Sequence, residues 1–543
     1  MTLRQELSAI LKGEIADDEV ARTAYAHDAS LFEIAPELIV APKDVEDVER
    51  LVGFAAARHG RGISLTARSA GTDMSGGAVG ESVIVDFSKH LVRLKEIGEG
   101  YAIVEPGMPY RDFEKETLKT GQLLPSYPAS RELCTVGGMA ANNSGGEKSL
   151  RYGKTAVFVE GLKVVFADGE EHVVAPMDRA ALDRKMAQDD FEGRLYRETY
   201  QLIEAHTETI RAAKPDVSKN SAGYALWDVW DGTTFDFTKL LVGSQGTLGL
   251  ITEIRYRLIR PETHSKLLVI FLRGMDRLPE IINAVLAHGP ESFESYDDHT
   301  LRFAIRYFPD ILRQMKGQNL VSFAWQFLPE AGMLLTGGFP KQVLLAEFTG
   351  GTEEEVDAKI RSAMETLAPL RLNMRATRTE REARKYWVVR RESFNLLRRH
   401  FKKLRTAPFI DDFCVKPAHL PKFLPELYAI LDRYKLLLTV VGHMGDANFH
   451  IIPIMDLGDP RIPEVIRSLS KEVYDLVFRY GGSMTGEHND GMIRGPYLRA
   501  MYGDEMYALF ERVKRIFDPD GIFNPHVKIG ATEEYAMAHL KRS

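Results

Sequence analysis

Thr66-Ala-Arg-Ser-Ala-Gly-Thr-Asp-Met-Ser-Gly-Gly77 is a glycine-rich stretch that begins where a β-rich run, Ile63-Ser-Leu-Thr66, ends. Small residues let backbone N–H groups approach an anion closely, and the hydroxyls of Ser69, Thr72 and Ser75 add further donors. The chain contains neither a G-x-G-x-x-G turn nor a G-x-x-x-x-G-K-[ST] loop. Taken alone, the stretch fits a phosphate-binding loop and a structural loop equally well.

Further along the chain, two more segments have a similar composition. One runs Pro125-Ser-Tyr-Pro-Ala-Ser130, Thr135-Val-Gly-Gly-Met-Ala-Ala-Asn-Asn-Ser-Gly-Gly146 and Arg151-Tyr-Gly-Lys154. The other is Leu240-Leu-Val-Gly-Ser-Gln-Gly-Thr-Leu-Gly-Leu-Ile-Thr-Glu253. Together with the first loop, they resemble the FAD-binding domain of the vanillyl-alcohol oxidase / p-cresol methylhydroxylase (PCMH) superfamily. In that superfamily the last segment contacts the flavin, and Gln245 stands here where Glu is usual.

The resemblance implies where FAD would bind. The pyrophosphate would lie on residues 70–75, and the isoalloxazine against 128–130 and 135–138, with 142–145 nearby. Some relatives attach FAD covalently through a histidine in the first loop, and this loop has none, so we expect noncovalent FAD. The implied cofactor-binding residues are Arg68, Ser69, Ala70, Gly71, Thr72, Asp73, Met74, Ser75, Pro128, Ala129, Ser130, Thr135, Gly137, Gly138, Asn142, Ser144, Gly145, Ile251 and Asn524.

Length and composition limit the class of protein. A chain of 543 residues exceeds one compact core, so two or more domains are expected. The net charge of -7 gives no basic footprint, so nucleic acid is not an expected partner. No apolar run approaches the roughly 18 residues of a membrane span, and the first residues lack the order of a signal peptide. We expect a cytoplasmic protein, with peripheral membrane association left open.

The hydrophobic pattern predicts an α+β fold. Short β-rich runs and glycine-rich turns fill residues 36–260, with a helix over 44–58 that Asp44 begins. Helices and strands alternate to about residue 421, and residues 320–335 are expected to be a buried core segment. With the resemblance, we expect a two-subdomain PCMH-type FAD-binding domain over 1–260, an α/β cap (substrate) domain with the metal site over 261–500, and a helical C-terminal segment over 501–543 that returns to the FAD domain.

Two glycine-flanked clusters near the C-terminus contain the reactive side chains. They are Gly442-His-Met-Gly-Asp-Ala-Asn-Phe-His450 and Gly486-Glu-His-Asn-Asp-Gly491. Imidazole suits borderline divalent metals, and a carboxylate completes a three-ligand catalytic site with room for substrate. The spacing of His443 and His450 fits two ligands that flank a turn, but it does not by itself demand a metal.

The two clusters resemble the D-2-hydroxyacid dehydrogenase branch of the superfamily, which includes D-lactate, D-2-hydroxyglutarate and glycolate dehydrogenases. The resemblance implies that His443, His450 and Glu487 ligate zinc or manganese and that His488 is the general base. It also implies that Arg390, in Trp387-Val-Val-Arg-Arg-Glu392, binds the substrate carboxylate. Without the resemblance, that segment is better interpreted as a surface helix with salt-bridged arginines.

Three positions depart from the pattern of this branch. Ala447 and Asn489 stand where Gly is usual, and His526 follows Asn-Pro where Gly is common. Each departure can alter the geometry of its loop, and none removes a reactive group. A further segment typical of the family, Lys219-Asn-Ser-Ala-Gly-Tyr224, is expected to line the site.

The implied reaction is the oxidation of a 2-hydroxy acid. The metal would lower the pKa of the substrate hydroxyl, neutral His488 would accept its proton, and a hydride would pass from C2 to flavin N5. Two cysteines, Cys134 and Cys414, cannot hold a four-cysteine iron–sulfur cluster. We therefore expect a separate iron–sulfur or other electron-acceptor protein. We also expect the protein to be a homodimer.

Two positions narrow the range of side chains that the substrate can carry. In relatives that take D-2-hydroxyglutarate, polar residues bind the distal carboxylate, and the matching positions here are Phe394 and Ile452. Apolar residues there imply a monocarboxylic D-2-hydroxy acid, D-lactate-like or longer, unless Arg398, Arg399 or Arg405 supplies the donor. A metal-free aromatic-alcohol oxidase, a subunit of a glycolate-oxidase-like complex and a non-catalytic flavoprotein subunit stay open as alternatives.

Overall fold

The computed structural model describes residues 1–306, 339–400 and 404–542, without side-chain detail at 303, 381, 392–400 and 439. The expected core segment at 320–335 lies outside the described residues, and so do the side chains of Phe394, Arg398 and Arg399. The chain forms two compact units, the first of residues 1–146, 152–261 and 483–543, and the second of residues 147–151 and 262–482. Residues 483–500, assigned above to the cap domain, group with the first unit.

A small sheet in the first unit precedes the first glycine-rich loop. Its strands have the order β1-β2-β4-β3, with parallel pairing except for β1. Every residue of β2 and β4 is buried, as expected for strands covered on both faces. The expected helix after β2 is confirmed at Val45–Ala56, with the Asp44 side chain capping it. The strands are β1 Glu14–Ala16, β2 Leu38–Ala41, β3 Leu65–Arg68 and β4 Val83–Asp86.

A second sheet of the first unit has five antiparallel strands. Its order is β5-β6-β11-β7-β8, and residues of β11 alternate between buried and partly exposed. This alternation shows that one face of β11 packs on the core. Strands β9 and β10 form a separate antiparallel pair. The strands are β5 Leu94–Gly98, β6 Tyr101–Val104, β7 Val159–Val165, β8 Glu171–Val174, β9 Met177–Asp178, β10 Thr234–Phe235 and β11 Leu250–Arg257.

The helices of the first unit lie in all three of its chain segments. Within residues 1–30, two of these helices are separated by β1, a three-residue strand that is defined by its pairing with β2. The helices are Leu3–Ser8, Glu19–Tyr25, Val45–Ala56, Tyr110–Leu118, Val136–Asn142, Arg179–Met186, Phe191–Ala205, Thr207–Ala213, Thr238–Leu241, Gly491–Arg494, Leu498–Phe517 and Glu533–Ala538.

The second unit is built on one antiparallel sheet. Its order is β15-β12-β14-β13-β18-β19-β16, and β17 also pairs with β19. The register places Glu294 of β13 opposite His443 of β18, and Val441 opposite His450 of β19. The strands are β12 His264–Leu272, β13 Ser292–Asp297, β14 Gln342–Gly350, β15 Asn373–Ala376, β16 Arg405–Thr406, β17 Phe413–Cys414, β18 Leu437–His443 and β19 Asn448–Met455.

Amphipathic helices accompany this sheet. They are Leu278–Leu286, Asp298–Arg306, Glu353–Leu367, Glu380–His400, Leu420–Tyr434 and Ile462–Arg479. None of the helices in the described ranges is both long enough and apolar enough to cross a membrane.

A five-residue segment, 147–151, joins the second unit although the chain on both sides of it belongs to the first. Glu147 pairs with Arg391 at 2.7 Å, and the ammonium of Lys148 lies 3.1 Å from the buried Glu291 carboxylate. These ion pairs fasten the segment to the second unit.

Candidate active site

The first glycine-rich loop presents a row of backbone donors. Within the part of the chain that the structure describes, the backbone N–H groups of residues 70–74 have no protein acceptor. The Asp73 carboxylate closes the loop by accepting from the backbone N–H groups of Ser75, at 3.1 Å, and Gly77, at 2.5 Å. Consecutive N–H groups available in a tight loop form an anion-binding nest. The loop therefore fits the pyrophosphate of FAD.

Arg68 braces this loop. Its guanidinium donates to the backbone carbonyls of Tyr25 at 3.0 Å, His27 at 2.6 Å and Ala78 at 3.2 Å. Gly71 has a φ of +63°, and a Cβ there would come within 2.5 Å of the Arg68 guanidinium. Only glycine fits at that position without displacing the arginine.

The two glycine-rich loops meet through hydroxyl groups. Thr135 caps the helix Val136–Asn142 by accepting from the Gly138 N–H at 3.2 Å, and its Oγ1 lies 2.6 Å from Oγ of Ser69. The structure therefore brings together two of the segments in which the sequence predicts flavin contacts. The other predicted positions differ in burial. Gly137, Ser144, Gly145 and Asn524 are buried, whereas the partly or fully exposed ones are Pro128, Ala129, Ser130, Asn142 and Ile251.

Gln245 ties three parts of the first unit together. Its amide nitrogen donates to Ser75 Oγ at 3.0 Å and to Asn142 Oδ1 at 3.2 Å, and its oxygen accepts from the Gly491 N–H at 2.8 Å. The Glu that is usual here would lack the amide donor, so the Gln has a defined role. The Asn524 amide similarly donates to the carbonyls of Gly77 and Gln245, both at 2.8 Å.

Glu487 and His488 lie together in one turn of the first unit. The Glu487 carboxylate accepts from the ammonium of Lys219 at 3.1 Å, and both side chains are buried. His488 Nε2 lies 3.8 Å from Glu487 Oε1, and the His488 side chain is 24% exposed. Lys219 belongs to the family-like segment 219–224, so that segment does contact the turn.

Two further lysines fix the same turn. The ammonium of Lys154 donates to the Gly486 carbonyl at 2.8 Å and to Ser221 Oγ at 2.6 Å. Lys528 and Asp490 form a fully buried ion pair at 2.7 Å, and burial lowers the pKa of the Lys528 ammonium. These contacts hold Glu487 and His488 in a defined place.

The two histidines of the first cluster face each other in the second unit. His443 ends β18 and His450 lies in β19, and their ring centroids are 5.1 Å apart with the planes at 87°. Nδ1 of His443 lies 2.6 Å from Glu294 Oε1, and Nδ1 of His450 lies 3.0 Å from Asp411 Oδ1. A carboxylate that accepts from Nδ1–H leaves Nε2 as the ligand atom, the usual arrangement for metal-binding histidines. The pair therefore fits a metal.

Arg390 and Asp412 adjoin this pair. The Arg390 guanidinium donates to Glu294 Oε2 at 3.1 Å, and a carboxylate oxygen of Asp412 lies within 4.8 Å of a ring nitrogen of His450. Sequence reasoning missed Glu294, Asp411 and Asp412. The available signal was a glutamate inside the β-rich run Ser292-Phe-Glu-Ser-Tyr296 and a pair of acidic residues just before β17.

The three departures from the family pattern share one backbone conformation. Ala447, Asn489 and His526 have φ values of +47°, +69° and +65°. This left-handed region is free of strain for glycine, is tolerated by asparagine, and costs other residues about 1–2 kcal/mol. The His526 ring stacks on Tyr535 with a centroid distance of 3.9 Å. The geometry explains why glycine is usual at all three positions.

Asn489 allows this explanation to be tested. Its side chain donates to the carbonyls of Asn142 at 3.1 Å and Gly243 at 2.9 Å and accepts from Lys528 at 2.6 Å. Asn489→Gly keeps the backbone unstrained but loses these bonds, so we expect the free energy of unfolding to fall by about 2 kcal/mol. In Asn489→Ala the free energy of unfolding should fall by about 1 kcal/mol more, because alanine is strained at the positive φ of this position. Equal stability of both variants in urea denaturation would refute the role of φ.

Comparison with known proteins gives two family matches. A model described as "FAD binding domain" matches residues 36–175, and one described as "FAD linked oxidases, C-terminal domain" matches residues 262–527. D-2-hydroxyglutarate dehydrogenase of Pseudomonas putida is 28% identical over 532 residues, which cover 95% of this chain and 50% of that protein. The chain thus spans about half the length of that relative.

One curated protein and one solved structure are matched over almost their whole length by this chain. The glycolate oxidase subunit GlcD of Bacillus subtilis is 25% identical over 536 residues, covering 96% of each chain. The solved structure of p-cresol methylhydroxylase with substrate bound matches with a TM-score of 0.66 at 16% identity, covering 98% of this chain and 96% of that one.

The fold is that of p-cresol methylhydroxylase, and the predicted fold class is confirmed. The chain is similar to FAD-linked oxidases in both of these domains. The predicted resemblance to the D-2-hydroxyacid dehydrogenase branch is confirmed by the relatives that it matches.

Proposed function

We propose that this protein oxidises a D-2-hydroxy acid to the 2-oxo acid with noncovalent FAD and a divalent metal, and passes the electrons to a separate acceptor. The observation that carries the proposal is the pair of carboxylate-oriented histidines, His443 and His450. An aromatic-alcohol oxidase of the same fold needs no such pair. The names of the relatives, D-2-hydroxyglutarate dehydrogenase and glycolate oxidase subunit, support the same substrate class.

The flavin would be held by residues of the first unit. The backbone N–H groups of residues 70–74 would bind the pyrophosphate, and the hydrogen bond between Ser69 and Thr135 would keep the two loops together. When bound, FAD supplies the acceptor for the hydride that leaves C2 of the substrate. Because the stretch 66–77 has no histidine, we propose that FAD is dissociable.

The proposed metal ligands are His443, His450 and Glu487, and the proposed ion is zinc or manganese. When bound, such an ion polarises the substrate hydroxyl and lowers its pKa. The chain's own contribution is orientation. Glu294 and Asp411 hold the two imidazoles in the Nε2-ligand tautomer, and Lys219 fixes the carboxylate of Glu487.

Two side chains would act on the substrate directly. His488, with its ring partly exposed, is the proposed base that accepts the hydroxyl proton. Arg390 is the proposed partner of the substrate carboxylate, because a guanidinium binds a carboxylate through two parallel hydrogen bonds. Its Nη2 is already held by a buried carboxylate, which fixes the direction in which the guanidinium faces.

The proposal is tested by mixing the yellow protein anaerobically with D-2-hydroxy acids, their L-enantiomers and 4-alkylphenols. We expect only the D-acids to bleach the flavin, a chelator to abolish the bleaching, and zinc or manganese to restore it. With D-acid as substrate, dichlorophenolindophenol should support turnover far better than oxygen. Bleaching by phenols regardless of chelator would favour the aromatic-alcohol oxidase, and no bleaching by any compound would favour a non-catalytic subunit.

A further inference from the structure

One buried carboxylate contacts both a proposed metal ligand and the proposed substrate arginine. Glu294 Oε1 lies 2.6 Å from Nδ1 of His443, and Glu294 Oε2 accepts from Nη2 of Arg390 at 3.1 Å. The Glu294 side chain is 2% exposed and the Arg390 side chain 15%. All three residues belong to the second unit.

The backbone fixes Glu294 in this place. It lies in β13, whose residues are all buried, and its register partner in β18 is His443 itself. Arg390 comes from the helix Glu380–His400, so a strand residue joins a second strand to a helix. Placing a carboxylate in a buried strand is unfavourable unless both oxygens have donors, which indicates that the two contacts are the reason for the charge.

We propose that Glu294 is a positioning residue that couples the metal ligand His443 to the substrate-binding Arg390. The proposal rests on the proposed function above. Through one oxygen Glu294 sets the tautomer of His443, and through the other it holds the guanidinium of Arg390. A metal ion and a substrate carboxylate would thus be presented with a spacing that a single side chain determines.

Glutamine at this position distinguishes coupling from packing. Glu and Gln have nearly the same shape, but a carboxylate has two acceptor oxygens and an amide has only one. In Glu294→Gln, either His443 Nδ1–H or the Arg390 guanidinium must face an N–H group. One contact is lost, and the other keeps only an uncharged acceptor, which binds a donor less strongly than a carboxylate does. Both functions should therefore weaken although the volume in the core is unchanged.

Asp411 provides the matched control. Its contact with His450 has the same form as the contact of Glu294 with His443, whereas Arg390 contacts Glu294. In Asp411→Asn the amide oxygen can still accept from Nδ1 of His450. This variant should weaken metal binding by no more than Glu294→Gln does, and it leaves the bond of Arg390 to Glu294 in place.

The experiment compares the FAD-loaded full-length protein and both variants in two measurements. Zinc affinity is measured by competition with a chromophoric chelator, and KM and kcat for a D-2-hydroxy acid are measured at saturating zinc. We expect Glu294→Gln to bind zinc about 10- to 100-fold more weakly, as for other partners of metal ligands, and to raise KM at least tenfold with a smaller change in kcat. Asp411→Asn should raise KM at saturating zinc much less than Glu294→Gln does, because Arg390 keeps its bond to Glu294.

Other outcomes overturn the proposal. The proposal is overturned if the zinc affinity or the KM of Glu294→Gln lies within twofold of the wild-type value. It is also overturned if KM rises as much in Asp411→Asn as in Glu294→Gln. If Glu294→Gln loses FAD or fails to fold, Glu294→Asp takes its place, since it keeps the charge and shortens the side chain, and both effects should be intermediate. The zinc titration needs no turnover. If the wild type binds zinc and Glu294→Gln binds it equally well, this inference alone is refuted. A wild type that binds no zinc refutes the proposed metal site together with it.

Discussion

His488→Ala is expected to slow reduction of the flavin by a D-2-hydroxy acid by a factor of about 10² to 10⁴, the usual contribution of a general base. FAD and metal should stay bound, because the turn is held by Lys219, Lys154 and the ion pair of Asp490 with Lys528 rather than by His488. The rate is measured by anaerobic stopped-flow absorbance, with FAD and metal content determined on the same samples.

Two other histidines separate the roles. His443→Ala should lose metal, because its ring is the one that Glu294 orients, and unchanged metal content would remove it from the ligand set. His288→Ala, which alters a partly exposed histidine bonded to Thr366, should behave as the wild type does. A reduction rate near normal in His488→Ala would rule out His488 as the base.

The second expected result concerns the substrate side chain. The values of kcat/KM for D-lactate and D-2-hydroxyisocaproate should exceed that for D-2-hydroxyglutarate by orders of magnitude. Ile452 lies two residues beyond His450 in β19, is only 6% exposed and cannot hydrogen-bond a carboxylate. Burying an unpaired carboxylate beside it would cost several kcal/mol, and about 1.4 kcal/mol corresponds to a factor of ten.

A pair of variants at this position sharpens the comparison. Ile452→Asn supplies a donor and should raise kcat/KM for D-2-hydroxyglutarate relative to D-lactate, whereas Ile452→Val should leave the ratio unchanged. Arg405 lies in β16, and its side chain is exposed. A clear preference of the wild type for D-2-hydroxyglutarate, the substrate in the name of the Pseudomonas putida relative, would show that the pocket is polar.

The sequence was sufficient where function depends on local pattern. The helix Val45–Ala56 with its Asp44 cap, the glycine-rich loops and the histidine pair all follow from residues close together in the chain. Small residues and capping side chains act over a few positions, so their effect can be inferred without a structure.

The carboxylates that orient the histidines could not be inferred in this way. Glu294 and His443 are 149 positions apart, and only the pairing of β13 with β18 brings them together. Asp411 likewise reaches His450 across 39 positions. Strand pairing over such separations depends on the whole sheet, which no short motif specifies. The positive φ at Ala447, Asn489 and His526 was similarly hidden, since the sequence shows only that glycine is absent there.

Because segment 147–151 belongs to the second unit, the codons for that unit are not contiguous in the gene. Residues 262–482 expressed alone, or exchanged between homologous genes, would lack Glu147 and Lys148, and with them the ion pairs to Arg391 and to the buried Glu291. Recombination at the single junction near residue 261 therefore separates the partners of both ion pairs. A chimera that exchanges the second unit should fold well only when the donor gene also contributes these five codons.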